Sequence, residues 1–324
     1  NNVVESNGTI YCTTAETTSS TFSAERLLAI NASTGVLKWK KEYWLNTGSR
    51  PVVSGNIIVF GGGSSINEES GIYALDTVTG NLLWKVLGIN AEGTSLIIYN
   101  STVFFGGEYT DSNLNVHNKF YALDLSNGNL RWGREVSGEY YVGVSELSEG
   151  LIYTVGCESL GSKIIVLDAA TGGLKFKISK VAGYQSFQPD VVIANGVIYV
   201  TARKPDSHID VLAFDAKTGV LKWQKGCNYV KQLSIIDGLC NVLDEKGYFS
   251  MHDSTTGVEK WRTSGLDIAL SNSLVYSKGF VYFSGQDSLF VYDAVTGVRK
   301  WSYSQNNTTI FVEAAHIGML YLNL

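Results

Sequence analysis

The chain has 324 residues, 44% of them hydrophobic, which is enough for a large core, and its composition shows no break where a second domain would start. Its net charge is −5 with 17% charged residues, and Lys and Arg are scattered instead of forming a stripe, which argues against a nucleic-acid surface. No apolar run approaches the roughly 18 residues of a membrane-spanning helix, so no membrane span is expected.

In chain order, a short strand near Val3–Glu5 comes first, then TIYCTT, a polar loop AETTSSTFSAE and a hairpin, LLAINASTGVLKW, ending at Trp39. That hairpin recurs as IYALDTVTGNLLW (Trp84), FYALDLSNGNLRW (Trp132), IIVLDAATGGLKF (Phe176), VLAFDAKTGVLKW (Trp223), FSMHDSTTGVEKW (Trp261) and LFVYDAVTGVRKW (Trp301). Alternating apolar residues before the Asp predict one strand, and the segment ending in the ring predicts the next. Asp-x-x-Thr-Gly between them is a turn: the carboxylate accepts backbone N–H groups two and three residues on, and Gly supplies positive φ. Two further strands precede each hairpin, as in PVVSGNIIVFGG and PDVVIANGVIYVTA.

The anchors Asn31, Asp76, Asp124, Asp168, Asp215, Asp253 and Asp293 are spaced 45, 48, 44, 47, 38 and 40 residues apart. Periods of roughly 40 to 50 residues in an all-β chain are those of propeller blades. The expected fold is therefore an all-β β-propeller of four-stranded antiparallel blades, a single domain over 1–324. GGGSSINEES and GGEYTDSNLNVHNK are expected as loops between second and third strands. Beyond Trp301, Phe311–Ala315 and Met319–Leu322 read as the first two strands of an eighth unit. Eight blades, the last incomplete, are favoured because apolar strands are costly as bare edges; seven is the alternative.

The pattern Ala74 to Trp84, A-x-D-x-x-T-G-x-x-x-W, resembles the PQQ-like, tryptophan-docking repeat of quinoprotein dehydrogenases and their cofactor-free relatives. The likeness covers nearly the whole chain. It implies that each ring packs on the Gly-containing turn of the neighbouring blade, and that eight blades are common. A quinoprotein enzyme would also need adjacent cysteines and Glu/Asn/Asp ligands for a metal ion. The chain has no adjacent cysteines and no C-x-x-C-H haem site, and no catalytic position transfers.

The start NNVVES, without Met, reads as a mature, processed product or a fragment, and the low Lys content with abundant Ser, Thr, Asn and Tyr points to a secreted or periplasmic protein. Of four cysteines, Cys12 and Cys157 are expected as separate buried thiols, whereas Cys227 and Cys240 flank one local segment and are candidates for a disulfide. Sequons at Asn7, Asn31, Asn100, Asn306 and Asn307 are no more than chance supplies; Asn100, Asn306 and Asn307, in predicted loops, are the candidate glycosylation sites.

The strand order places the tight turns at one end of each blade and the longer loops at the other, where a site is expected. Candidate ligand-binding residues at the loop end are Tyr43, Trp44, Arg50, Glu92, Glu139, Tyr140, Tyr141, Gln188, Lys231 and Asp267, with Tyr109, Tyr184, Phe187, Tyr229 and Tyr303 among the further aromatics. Rings with amides, carboxylates and a few cations suit a sugar or another protein's loop. His117, His208, His252 and His316 lack metal-site spacing; His252 reads as structural. No G-x-S-x-G, H-E-x-x-H, Walker or C-x-x-C motif occurs. The expected function is non-enzymatic binding of a glycan or protein partner. The alternatives are an assembly scaffold like the outer-membrane assembly propeller, and an oxidoreductase using PQQ with Ca2+, for which Glu92, Glu139 and Asp267 are the available carboxylates.

Overall fold

The structure, a computed structural model, describes all residues except 1–2, 20–21, 44–48, 64–69, 93, 136–145, 159–160, 180, 228–229, 231, 244–247, 264–273, 285–287, 305–310, 317–318 and 324. For 15–19, 22–25, 157–158, 161, 189–190, 232, 243, 274, 284, 311–316 and 319–323 it describes the backbone alone. The described residues form seven four-stranded antiparallel sheets and one two-stranded sheet, each a meander in chain order. The chain divides into two compact units, Asn1–Ser179 with the first four sheets and Lys180–Leu324 with the other three and the strand pair.

The first sheet shows the plan, with strands Val3–Ser6, Thr9–Ser19, Phe22–Asn31 and Leu37–Tyr43. Its first turn, Asn7-Gly8, has positive φ at both residues, the mirror-image turn whose twist suits a two-residue hairpin. The segment expected as a polar loop is instead strand, because its Thr-rich run pairs onward as Thr14↔Arg26, Ala15↔Glu25 and Glu16↔Ala24. The third sheet behaves likewise: Thr102–Thr110 and Val116–Asp124 shorten the expected loop to Asp111–Asn115.

The middle strands of sheet two are apolar on both faces because sheets one and three cover them. Ile57–Gly62 and Gly71–Asp76 are almost wholly buried, whereas along Leu82–Leu87 only Trp84 is. Within the first unit, Tyr11, Leu27, Trp39, Ile58, Phe60 and Tyr73 fill the seam between sheets one and two. In the second unit, Phe249, Met251, Val281 and Phe283 do so between sheets six and seven.

The hairpin turn repeats on one plan, with Ser in place of the Thr hydroxyl at Asp124 and Asn31. At Asp76, Oδ1 accepts from Val78 N–H (3.1 Å), Thr79 N–H (2.8 Å) and the Thr79 hydroxyl (2.8 Å), while Gly80 N–H returns to Asp76 O at 2.8 Å. Just before the turn the ladder skips one residue, pairing Leu75↔Leu82 and then Ala74↔Trp84. The same bulge falls at the same place in all seven hairpins. The extra residue leaves Leu82 and Leu83 facing outward and turns the Trp onto the next sheet.

There each ring meets a Gly. A Cβ on Gly80 would lie 2.8 Å from Trp39, and the same crowding joins Gly128 to Trp84, Gly172 to Trp132, Gly257 to Trp223 and Gly297 to Trp261. All five glycines have φ between +68° and +73°, so the position demands Gly for both conformation and space. The indole N–H donates to the carbonyl just after the turn anchor: Trp39 to Thr77 (2.9 Å), Trp84 to Leu125 (2.9 Å), Trp132 to Ala169 (3.0 Å), Trp223 to Ser254 (3.0 Å) and Trp261 to Ala294 (2.9 Å). Burying such a ring contributes roughly 2–3 kcal/mol at each seam.

Candidate functional site

Both tight turns of a sheet lie side by side, since the residue after each anchor donates its N–H to the first turn, as Thr77 N to Asn56 O at 2.9 Å and Ala216 N to Gly196 O at 2.9 Å. This end is spent on structure. In sheets three, four, six and seven the Lys or Arg before the ring turns back onto the anchor carboxylate: Arg131 on Asp124 (2.7 Å), Lys175 on Asp168 (2.9 Å), Lys260 on Asp253 (3.3 Å) and Lys300 on Asp293 (3.3 Å). The opposite end, where second strands run into third strands and the chain crosses between sheets, is free to differ from sheet to sheet.

In the first unit that end holds an ordered aromatic and ionic cluster on sheet three. Tyr109 and His117 are cross-strand partners and their rings stack at 5.0 Å. Lys119 lies 4.1 Å over the Tyr109 ring and 3.3 Å from Glu135, which also accepts the Tyr109 hydroxyl at 2.7 Å. Bonds from Tyr109 and then Lys119 hold the Glu135 carboxyl below its ordinary value. Desolvation pulls the Lys119 ammonium down, but its bonds to Tyr109 and Glu135 outweigh this and raise it. Asp111 closes the tip, accepting from His117 Nε2 (3.0 Å), the Asn115 side-chain amide (3.1 Å), Asn115 N–H (2.9 Å) and Asn113 N–H (2.9 Å), which together keep it ionised far into acid.

The crossing into sheet three lies beside it. Asn90 bridges Glu108 backbone to backbone, and Gly61 and Gly107 leave room for Ala91 and Ile89 to pass close. A buried Ser49 hydroxyl donates to Gly61 O (2.7 Å) and accepts from Gly61 N–H (2.9 Å), fixing the chain just before the exposed Arg50.

In the second unit, sheet five carries a buried counterpart. Asp210, 3% exposed, is held by the Tyr184 hydroxyl at 2.6 Å and Lys204 Nζ at 2.6 Å. Desolvation, then the bond to Asp210, raises the Tyr184 phenol, and the bond to Asp210 raises Lys204. A buried carboxylate with both partners in place is a rigid support for the loop above it.

Tyr43, Arg50 and Glu92 belong to the first unit and Gln188 to the second. Tyr43 turns into the seam, 5.0 Å from Phe60 and 5.5 Å from Tyr73, and burial pushes its phenol up to about 12. Arg50 is exposed and donates to Val3 O at 3.1 Å; Glu92 is exposed beside Asn90. Gln188 is half-buried where the first strand of sheet five bulges. Trp44, Glu139, Tyr140, Tyr141, Lys231 and Asp267 lie outside the described residues, as do Asn306 and Asn307. Asn100 is exposed in a two-residue turn with φ of 46°. Sequence reasoning missed Lys119, Glu135, Lys204 and Asp210. The register Lys119↔Glu135 beside Tyr109↔His117 is the signal, and it emerges only once the loop is known to be strand.

The bridge expected between Cys227 and Cys240 is a correction: both are free thiols, as is Cys12. Cys227 and Cys240 belong to one apolar cluster with Val211 and Val242, and burial pushes them up to about 11 and about 12. Held as thiols, they lack the thiolate that disulfide exchange needs. A PQQ–Ca2+ pair needs converging oxygen donors. No three His, Cys, Asp or Glu converge so among the described residues, which therefore do not supply that site. No described helix is long and apolar enough to cross a membrane.

Bulged Asp-Gly hairpins, rings docked from sheet to sheet and a separate loop end define a tryptophan-docked β-propeller. The chain belongs to the family described as outer membrane protein assembly factor BamB, whose model matches residues 3–141 and 141–236. Among solved structures, BamB from Moraxella catarrhalis is similar at TM-score 0.64 and 15% identity, over 99% of this chain and 89% of that one. The computationally designed Ika8 protein gives 0.62 at 17% identity, over 96% and 88%. A europium-containing methanol dehydrogenase gives 0.63 at 11%, over 99% and 81%. At these identities the likeness is one of fold. No curated protein matches the chain.

Proposed function

We propose that this protein is a non-enzymatic, extracytoplasmic β-propeller that holds a protein partner at the loop end of its blades, as an assembly scaffold does. The observation that carries the reading is the prearranged Tyr109–His117–Lys119–Glu135 cluster. Rigid rings with a cation and a carboxylate already in place lose little entropy on binding, and Tyr with basic groups is the chemistry of interface anchors. The BamB family description supports both the protein partner and the compartment. A glycan is the other ligand such rings suit.

A photo-crosslinker at Tyr109 tests this against one at Val78, exposed at the turn end. One defined protein captured at position 109 and not at 78, and lost on Lys119→Glu, is the expected result. Glycan-array binding abolished by Tyr109→Ala, Trp44→Ala or Tyr141→Ala, with no protein captured, would replace the scaffold by a lectin. Capture at both positions alike would end the loop-end assignment.

A further inference from the structure

The hairpin that carries the loop-end cluster of sheet three ends in a turn whose sequence works against it. Asp111 N–H donates to Asn115 O at 2.9 Å and Leu114 N–H to Asp111 O at 3.0 Å, and the turn closes through Leu114 in the left-handed region, at φ of 66°. Sheet five closes its corresponding turn with the same two bonds, Lys204 N–H to His208 O at 2.8 Å and Ser207 N–H to Lys204 O at 3.0 Å, and there the left-handed residue is Ser207. Gly, Asn or Asp suits that position, because a larger side chain crowds the following carbonyl. Of the nine non-Gly residues with positive φ among those described, Leu114 alone is apolar.

That strain gains no packing. Leu114 is 83% exposed, more than any other large hydrophobic among the described residues, and Val116 two positions on is 61% exposed. Sheet three has a neighbour on each face inside its own unit, sheet two against Val103 and Tyr121 and sheet four against Phe104 and Phe120, so the first unit by itself packs the sheet that carries the tip. The tip is also held in place. Asp111 turns its carboxylate inward onto His117, Asn115 and Asn113, and His117 stacks on Tyr109, which ties the turn to its stem. A strained, exposed apolar side chain on an ordered support suits a binding anchor, since freedom already given up is not lost again on association.

We infer that Leu114 is the anchor of the loop-end interface and enters a leucine-sized apolar pocket on the partner protein, with Asn113 and Asn115 at its polar rim. The inference rests on the loop-end reading and names what the partner must offer. A pocket follows from the shape of the tip: a single knob on a two-stranded stem is fully desolvated only in a concave site. Charge argues against an anionic bilayer as the occupant. Ser112, Asn113 and Asn115 beside the Leu are uncharged, the charge within the turn is the Asp111 carboxylate, and Lys119 on the stem is engaged by Tyr109 and Glu135. Two apolar side chains without cations around them make a weak membrane anchor.

The test uses the full chain with a photo-crosslinker at the exposed Asn113, in an extract of the cells that make it. The captured protein is identified by mass spectrometry, purified, and titrated by calorimetry against the native chain, Leu114→Asn and Leu114→Met. The expected result is a Kd weakened roughly tenfold or more by Leu114→Asn and held within about twofold by Leu114→Met. The urea midpoint of Leu114→Asn should be unchanged or higher, because Asn tolerates the left-handed turn. A lower midpoint with an unchanged Kd would make Leu114 structural and overturn the proposal. If a crosslinker at Tyr109 captures a protein that binds Leu114→Asn as tightly as the native chain, the loop-end reading stands and the anchor falls; if neither position captures a protein, both fall. Sedimentation with phosphatidylglycerol and phosphatidylethanolamine vesicles that depends on Leu114 would put a membrane in the partner's place, and a self-crosslinked dimer would put a second copy there. Either result overturns the proposal.

Discussion

Trp84 and Val78 belong to the same hairpin and have opposite surroundings. Trp84 is covered by Gly128 and bonded to Leu125 O, so Trp84→Ala removes a ring, a hydrogen bond and the filling of a seam. A loss of about 3–5 kcal/mol is expected from urea denaturation, against a change within about 0.5 kcal/mol for Val78→Ala at the exposed turn. Equal losses at the two sites would contradict the docking account. His252 makes a second residue-scale case. It is buried with Nε2 on Ser250 Oγ at 2.9 Å and Nδ1 without a partner, and burial holds its pKa below the ordinary value. The unfolded chain therefore takes up a proton more readily than the folded one. The stability this contributes is full above pH of about 6.5 and is lost as pH falls through the lowered folded value. Melting temperature should decline over that range in the native chain and stay flatter in His252→Gln.

At the scale of the element, the hairpin turn is an acid-sensitive device repeated along the chain. Asp168 is held at about 2 by Lys175 and Thr171, Asp124 at about 2 by Ser126 and Arg131, and Asp293 at about 2 by the Thr296 N–H and hydroxyl. Each folded pKa lies below the unfolded value of about 3.9, so the stability these turns contribute is present above that pH and lost as pH falls through about 2. Unfolding followed by Trp fluorescence should therefore be steep between pH of about 4 and 2. Asn31 shows that an amide can fill the position, accepting from Ser33 N–H and Thr34 N–H at 3.0 Å each. Asp168→Asn should accordingly fold at neutral pH and carry a smaller acid transition. The same elements show why two expected loops proved to be strands: alternation in Thr- and Tyr-containing stretches continues the ladder until a turn residue such as Asp111 stops it.

For the whole molecule, the two ends of the sheets carry different work. The turn end holds neighbouring sheets together, and on the proposed reading the loop-end cluster of Tyr109, His117, Lys119 and Glu135 serves binding. Tyr109→Ala should therefore change stability by less than about 1 kcal/mol while abolishing partner capture by a photo-crosslinker placed at the neighbouring exposed Asn113. Gly128→Val, which drives a Cβ into Trp84, should destabilise strongly and affect binding only through unfolding. Melting curves and crosslinking on the two variants separate these outcomes, and a Tyr109→Ala protein that fails to fold would show that the loop-end cluster is structural.

The sequence by itself determined the repeat, the strand count of each sheet and the place of each ring, because a turn that requires Asp and Gly and a seam that requires one large ring leave fixed letters at fixed spacing. It also marked a further pair of strands after Trp301, observed as Phe311–His316 and Met319–Asn323. Only the tertiary structure decided which polar residues work together. Lys119 and Glu135 meet across strands, Lys204 and Tyr184 meet on a buried Asp210, and Tyr43 turns into a seam although it reads as a surface ring. Cross-strand register sets those meetings, and a one-residue slip would send each side chain to the other face.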